Sequence, residues 1–487
     1  MQLCNANLNQ LPTGVQRPNF ERSQVQPGIV HLGVGAFHRA HQAVMTDAVL
    51  ASGDLRWGII GAGLMTASTR DALLPQDGLY TLLERSAESE QLRVVGAIID
   101  LLGGAADLAQ VLAHMAAPST RIVSLTVTEK GYYLDVASGQ LLLNNPMVAA
   151  DLANPTQPKT ILGLIVQALR LRRTAGVPPF TVLSCDNLPN NGKTAKTAVL
   201  AFAAKIDSEL AAWIMREVRF PCTMVDRITP ATTDADRAYV NSQLGMTDAW
   251  PIVTEGFVQW VIEDDFNQDR PDWTLGGAVF SNEIEAWEAM KLRCLNGAHS
   301  TLAYLGQLTG RETVADAMQL PLISNLLSDL WAEVLEVLHA PTGVDPADYV
   351  EQLKQRFRNP ALKHRTLQIA MDGSQKLPQR LLATLRERLT RGLPSPALTT
   401  AIAGWMHFAV KTAHTPGSVL NDPLSSEILL QAKSSLEPKE IVHGLLSIQK
   451  IFGTDLAQHE EFTAELLAAF SQLAQNPEVA TAPQVSL

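Results

Sequence analysis

"GIVHLGVGAFHRAHQAVMTDAVLAS", residues 28–52, decides the fold. Residues 28–32 form an apolar run of strand length and Gly33-x-Gly35 a tight turn. The segment after it carries Ala40, Val44 and Ala48 at the i, i+4 spacing of one helix face. A buried strand passing through a glycine turn into a helix opens a βα unit. Glycine permits the turn and lets backbone amides approach a pyrophosphate at the helix N-terminus. A full dinucleotide fingerprint has a third glycine where this chain has His38. A glycine turn with no ligand is the competing reading. His38 and Arg39 read either as contacts to phosphate or as solvated side chains.

The pattern repeats outward. "WGIIGAG" (57–63), "TRIVSLTVT" (120–128) and "PFTVLSCDN" (179–187) read as strands, and "TILGLIVQALRLRR" (160–173) as a helix. Such alternation predicts an α/β fold with a mainly parallel sheet. "WPIVTEGFVQWVIEDDF" (250–266) is aromatic and β-branched and is expected to add later strands. From about residue 284, segments such as "LISNLLSDLWAEVLEVLHA", "PQRLLATLRERL" and "EEFTAELLAAFSQLAQ" predict a helical C-terminal domain. The change of pattern divides the chain into an α/β part over 1–283 and a helical part over 284–487. "NPEVATAPQVSL" (476–487) reads as a loose tail.

The chain has 487 residues, 46% hydrophobic and 18% charged, ordinary values for a globular protein. No apolar run is long enough to predict a transmembrane helix, and the start lacks the pattern of a signal peptide. The formal net charge of −11 argues against nucleic-acid or membrane-surface partners. The densest basic cluster, Arg170, Arg172 and Arg173, reads as cations in the last turn of a helix. Cys4, Cys185, Cys222 and Cys294 are far apart and form no C-x-x-C pair. They predict reduced thiols in a cytoplasmic protein, with neither a disulfide framework nor a zinc site of the usual spacing.

"MKLRCLNGAHS" (290–300) sets Lys291, Asn296 and His299 among apolar residues. On an ideal α-helix Lys291 and Asn296 lie about 140° apart with His299 between them, so the three can share one side. Desolvation disfavours an ammonium, which suits a lysine to general-base work. An asparagine amide can donate to an alkoxide or carbonyl oxygen, and a histidine can orient lysine or substrate. An exposed lysine, an interhelical asparagine and a core histidine explain the spacing equally well. Polar clusters also follow apolar strands: Glu129 and Lys130, then Asp186, Asn187, Asn190 and Asn191, then Asp226 and Arg227. Ligands of open α/β sheets bind at such strand ends. After "GIIGAGLM" no acid occurs until Asp71, whereas Ser68, Thr69 and Arg70 are present, which leaves NAD against NADP open.

The set "IVHLGVGAFHRAHQA", "IVSLTVTEKGY", "FTVLSCDNLPNNG", "FPCTMVDRITPAT", "FVQWVIEDDF", "EAMKLRCLNGAHS" and "HRTLQIAMDGSQKLPQRLL" resembles the polyol-specific long-chain dehydrogenase/reductase family over almost the whole chain. The resemblance implies a Rossmann-type dinucleotide-binding domain over 1–283 and a mostly helical substrate-binding domain over 284–487, with the active site between them. It implies metal-independent hydride transfer between a secondary alcohol and nicotinamide, in a monomer. It implies that Lys291 is the general base, that Asn187 and Asn296 hold the reacting oxygen, and that His299 positions substrate and lysine. Asp226 and Lys376 would contact substrate hydroxyls, and Glu129 and Glu288 would lie near the proton path. The cofactor would meet Gly33, Gly35, Ala36, Phe37, His38, Ser68 and Glu129. "HRTLQIAMDGSQKLPQR" looks like the branch that interconverts D-mannonate and D-fructuronate. A carboxylate there needs cations, which Arg365, Lys376 and Arg380 would supply with help from His364. "GIIGAGLM", "NLNQLP" and "DAWPIV" lean instead towards the branch that oxidises D-mannitol or D-arabinitol. A non-catalytic dinucleotide-binding regulator and a zinc-dependent polyol dehydrogenase are the rivals of other classes.

Overall fold

Residues 28–32 lie in the central strand of a five-stranded parallel sheet. In the computed structural model, which describes residues 1–86, 88–135 and 138–480, the strands are β1 (Pro27–Leu32), β2 (Gly58–Gly63), β3 (Tyr80–Arg85), β4 (Glu90–Val95), β5 (Ile98–Gly103), β6 (Ile122–Leu125), β7 (Thr181–Ser184), β8 (Thr223–Asp226), β9 (Ile252–Thr254), β10 (Gln259–Ile262) and β11 (Val279–Phe280). The main sheet runs β5-β2-β1-β6-β7, every neighbouring pair parallel. Counting only these strands, that is the 3-2-1-4-5 order of a Rossmann sheet, with its switch point between β1 and β6. Alternate residues serve two faces, as a strand buried on both sides requires. Val30, Leu32, Ile60, Val123 and Val182 pack with Leu162, Ile165 and Leu169 of the helix Ile161–Ala175. Ile29, Ile59, Ile122 and Leu183 pack with Val49, Leu50, Trp260 and Trp273.

Two features depart from the sequence reading. The helix after the glycine turn is two helices, α1 (Ala36–Ala40) and α2 (Gln42–Ala51), broken at His41. In an unbroken helix the carbonyls of Arg39 and Ala40 would accept from the next turn. Here they accept from the Tyr80 hydroxyl at 2.6 Å and from Arg227 Nη1 at 2.5 Å. Both donors come from distant sequence. The stretch 250–266 does supply β9 and β10, but to two separate small sheets, β4-β3-β9 and β11-β10-β8. The helix Ile161–Ala175 is capped by Thr160 at its start and by Gly176, at φ 66°, after its end. Arg172 and Arg173 lie in its last turn as expected, but Arg172 is buried and donates to the carbonyls of Met115, Ala117, Thr120 and Pro178.

By contact the chain divides into Met1–Glu285 and Ala286–Leu487. The second unit is helical. Its central helix Pro396–His414 packs on Gly297–Leu308 and on Glu460–Gln475. Within 476–487, Pro477–Ala480 forms one helical turn, and residues 481–487 lie outside the described residues. Among the described residues no helix is long and apolar enough to cross a membrane.

Candidate active site

In the first unit the two glycines of the turn do different work. Gly33 has φ +98°, and a Cβ there would stand 2.1 Å from the carbonyl oxygen of Thr126. Chain packing alone therefore demands glycine at 33. Gly33→Ala is expected to destabilise the protein by about 3 kcal/mol or more, since neither backbone can retreat. A urea-unfolding midpoint unchanged from that of the natural protein would refute this. Gly35 is exposed, and nothing lies nearer than 3.8 Å to where its Cβ would be. A ligand can approach the backbone there, at the start of α1, where Ala36 and Phe37 follow half-buried.

His38 and Arg39 are neither solvated nor offered to a phosphate as cations. Both are 1% exposed. The His38 ring stacks on that of His31 in β1, with centroids 3.4 Å apart. This stack packs α1 on the strand where a fingerprint would use a third glycine. Burial, and then the neighbouring His31, push the His38 imidazole well below its usual range, so it is neutral. Arg39 donates to the Trp250 carbonyl at 2.9 Å and lies over the Tyr80 and Trp250 rings.

Past β2, Ser68 is exposed and its hydroxyl lies 3.0 Å from that of Thr66. Arg70 pairs with Asp107 at 2.6 Å and Asp71 at 2.8 Å, so its charge is already answered.

The ends of β6 and β7 are tied by Asp186. Its Oδ1 accepts from the backbone N–H groups of Val127 (2.8 Å) and Thr128 (2.7 Å), and its Oδ2 from the Tyr132 hydroxyl (2.6 Å). Burial raises this carboxyl, and the three donors oppose the rise. Thr128 sits at φ 64°, ψ 169°, a region that costs a β-branched residue of order 1–3 kcal/mol. Beyond it, Glu129 is exposed on the turn Glu129–Tyr132, and Asn187 is exposed directly after Asp186. Asp226 ends β8 and is buried.

In the second unit, Lys291–Asn296 is a π-helix between the α-helices Ile284–Met290 and Gly297–Leu308. The Gly297 N–H donates to the Leu292 carbonyl, an i→i+5 bond. This corrects the ideal-helix geometry. Closing at i+5 brings residues five apart nearly over one another, so Lys291 and Asn296 share a face more closely than α-helical geometry allows. The register has tertiary causes. Trp331 Nε1 donates to the Cys294 carbonyl at 2.9 Å, and Arg380 Nη1 lies 3.4 Å from the Asn296 carbonyl and 3.2 Å from Ser300 Oγ. Arg380 itself lies in a second π segment, Pro378–Leu382, packed against the first.

Glu288, Lys291, Asn296 and His299 are all buried. The His299 ring lies 4.5 Å from Phe357 and 5.3 Å, edge-on, from His364. Asn296 Oδ1 and His299 Nε2 are buried with no hydrogen-bond partner among the described residues, which marks them as candidates for a ligand. Burial, followed by His364, Arg356, Arg380 and Lys291, holds His299 well below its usual range. Burial and Arg356 lower His364 to about 4, so any help it gives a carboxylate is that of a neutral imidazole and not of a cation. Lys376 donates to the carbonyls of Met371 (2.5 Å) and Ile369 (3.2 Å), while Arg365 is exposed. Arg356 and Phe357, on the helix Pro346–Phe357, carried no local signal in the sequence. Among the described residues no three His, Cys, Asp or Glu are grouped to hold a metal ion.

A nucleotide-type sheet with an open glycine turn and a unit bearing a buried Lys–Asn–His cluster define a dehydrogenase-like protein. Residues 27–275 match the mannitol dehydrogenase Rossmann domain, and residues 283–474 the mannitol dehydrogenase C-terminal domain. The chain belongs to the mannitol dehydrogenase family and is an oxidoreductase. It is 46% identical to D-mannonate oxidoreductase of Escherichia coli (strain K12), over 95% of this chain and 96% of that protein. It is 42% identical to mannitol 2-dehydrogenase of Cereibacter sphaeroides, over 93% and 95%. Among solved structures it is similar to Pseudomonas fluorescens mannitol 2-dehydrogenase in ternary complex with NAD and D-mannitol. The TM-score is 0.86 at 39% identity, over 99% of this chain and 98% of that one.

Proposed function

We propose that this protein is a metal-independent, NAD-dependent dehydrogenase that interconverts D-mannonate and D-fructuronate. The observation that carries the reading is the Lys291–Asn296 π register, with His299 neutral and its Nε2 without a partner among the described residues. The residues of the glycine turn suit NAD: Gly35 leaves open the space that a Cβ would fill at the switch point of the sheet. The pairing of Arg70 with two carboxylates supports NAD over NADP, because a 2′-phosphate would find no unanswered guanidinium there. When bound, NAD supplies the hydride acceptor.

The protein's own residues do the rest. Lys291 takes the hydroxyl proton as the carbinol carbon loses its hydride. Asn296 and Asn187 donate to the oxygen on which charge develops. His299 orients the hydroxyl, and its neutrality leaves a ring nitrogen able to accept. Glu288, one helical turn before Lys291, passes the proton outward, and Glu129 lies beside the cofactor. Asp226 and Lys376 hold substrate hydroxyls.

A sugar acid is favoured over a polyol by the cationic surroundings. Arg356 and Arg380 both act on His299, and Arg365 follows His364 directly. The 46% identity to a D-mannonate oxidoreductase supports the same choice. D-mannitol or D-arabinitol is the second reading, favoured by the several mannitol dehydrogenases among the relatives. Four cysteines outside any disulfide fit a reducing compartment such as the cytoplasm.

The test is turnover on D-mannonate, D-mannitol, D-arabinitol and related sugar acids with NAD and with NADP, before and after EDTA. Higher kcat/KM on D-mannitol than on D-mannonate would overturn the substrate, and activity lost to EDTA would overturn the metal-independence. Arg365→Ala should lower kcat/KM for mannonate by roughly 30-fold or more, through loss of a charge-assisted contact, and for mannitol by far less. Equal losses on the two substrates would remove the carboxylate argument.

A further inference from the structure

We infer that Asp186 is a positioning residue that holds Glu129 and Asn187 in one fixed arrangement. The inference rests on the dehydrogenase reading above and deepens it.

Thr128 adopts a backbone conformation that is essentially reserved for glycine, and Tyr133, at φ 50°, closes the same turn from the other side. A turn bracketed by two non-glycine residues at positive φ does not hold itself; something outside it must. Each carboxylate oxygen of Asp186 is engaged there, one by the consecutive amides of Val127 and Thr128 and the other by the hydroxyl of Tyr132. That hydroxyl lies also 2.6 Å from Ser184 Oγ at the end of β7. The main chain of Asp186 is fixed as well. Its carbonyl accepts from Asn191 Nδ2 at 3.0 Å, and Asn191 reaches across to Thr223, with Nδ2 2.9 Å from its carbonyl and Oδ1 accepting its N–H at 2.8 Å. One buried side chain thus ties the ends of β6 and β7, while its own backbone is tied to the start of β8, the strand that ends in Asp226. Without the carboxylate, Thr128 is expected to leave its present φ, and Glu129, the next residue, moves with it. Asn187 follows Asp186 directly and shares its backbone.

The experiment has two arms, using the full-length protein. In the first, hydrogen exchange over residues 126–133 is followed by mass spectrometry in the natural protein, Asp186→Ala, Asp186→Asn and Tyr132→Phe. Exchange in that segment should quicken in Asp186→Ala and less in the other two, with the rest of the chain unchanged. In the second arm, kcat for Asp186→Ala should fall about 100-fold, the scale of a misplacement near 1 Å, with NAD affinity retained. Asp186→Asn, which keeps one oxygen for the two amides, should recover about tenfold of that loss. Should Asp186→Ala not fold, Asp186→Asn and Tyr132→Phe carry both arms. Unchanged exchange at 126–133, or a kcat within about threefold of the natural protein in folded Asp186→Ala, overturns the inference. A natural protein that turns over no polyol or sugar acid defeats the dehydrogenase reading instead, and the exchange arm then decides the clamp alone.

Discussion

Lys291→Ala should lower turnover by about 10³-fold, within the range a positioned general base contributes, while NAD binds as before. The lysine is buried, on the same π segment as Asn296, and no other lysine lies between 290 and 300 to take its place. Removing it leaves the hydroxyl proton to water, which burial of the cluster keeps away. It leaves the glycine turn of the first unit untouched, so a fluorescence titration with NADH should return an unchanged Kd. Initial rates on the best substrate of the screen decide the matter. Turnover near that of the natural protein would refute the base assignment, and loss of NADH binding would point to a folding defect instead. The π register adds a further expectation. Trp331→Phe removes the donor to the Cys294 carbonyl and should lower kcat more than it alters substrate KM.

Acid should unfold the protein through His31. This imidazole is fully buried, lies 2.8 Å from Ser124 Oγ and 2.9 Å from Thr126 Oγ1, and stacks on His38. Burial lowers it from 6.5 to about 3. The sign follows from proton uptake. Between pH 6.5 and about 3 the unfolded chain carries a proton on this ring that the folded chain does not. Folding is therefore unpenalised above pH 6.5 and loses stability steadily as pH falls through that window. At pH 4 the loss from His31 alone is about 3 kcal/mol relative to pH 7. Carboxylates titrate in the same range, so the comparison must be with His31→Gln, which keeps a polar side chain but does not titrate. Urea unfolding at pH 7 and pH 4 should show a smaller acid loss in the variant. Parallel losses in the two proteins would refute the assignment.

What the sequence determined by itself is whatever rests on local pattern. The apolar run before Gly33, the strands at 57–63, 120–128 and 179–187, and the helix capped by Thr160 and Gly176 are written in neighbouring residues. So is the change to helix after about residue 284. The residue types Lys291, Asn296 and His299 could be singled out because polar groups in an apolar stretch need a reason. Tertiary structure alone decided the rest. The break at His41, the stack of His38 on His31 and the π register of Lys291–Asn296 each depend on donors or rings far away in sequence: Tyr80 and Arg227, β1, Trp331 and Arg380. Backbone carbonyls accept whichever donor reaches them, and a one-dimensional pattern does not encode which donors the fold brings near. For the same reason the state of charge at the site stayed out of reach: His38 and His364 are identical residue types to any solvated histidine, and only burial beside particular neighbours keeps them neutral far into acid.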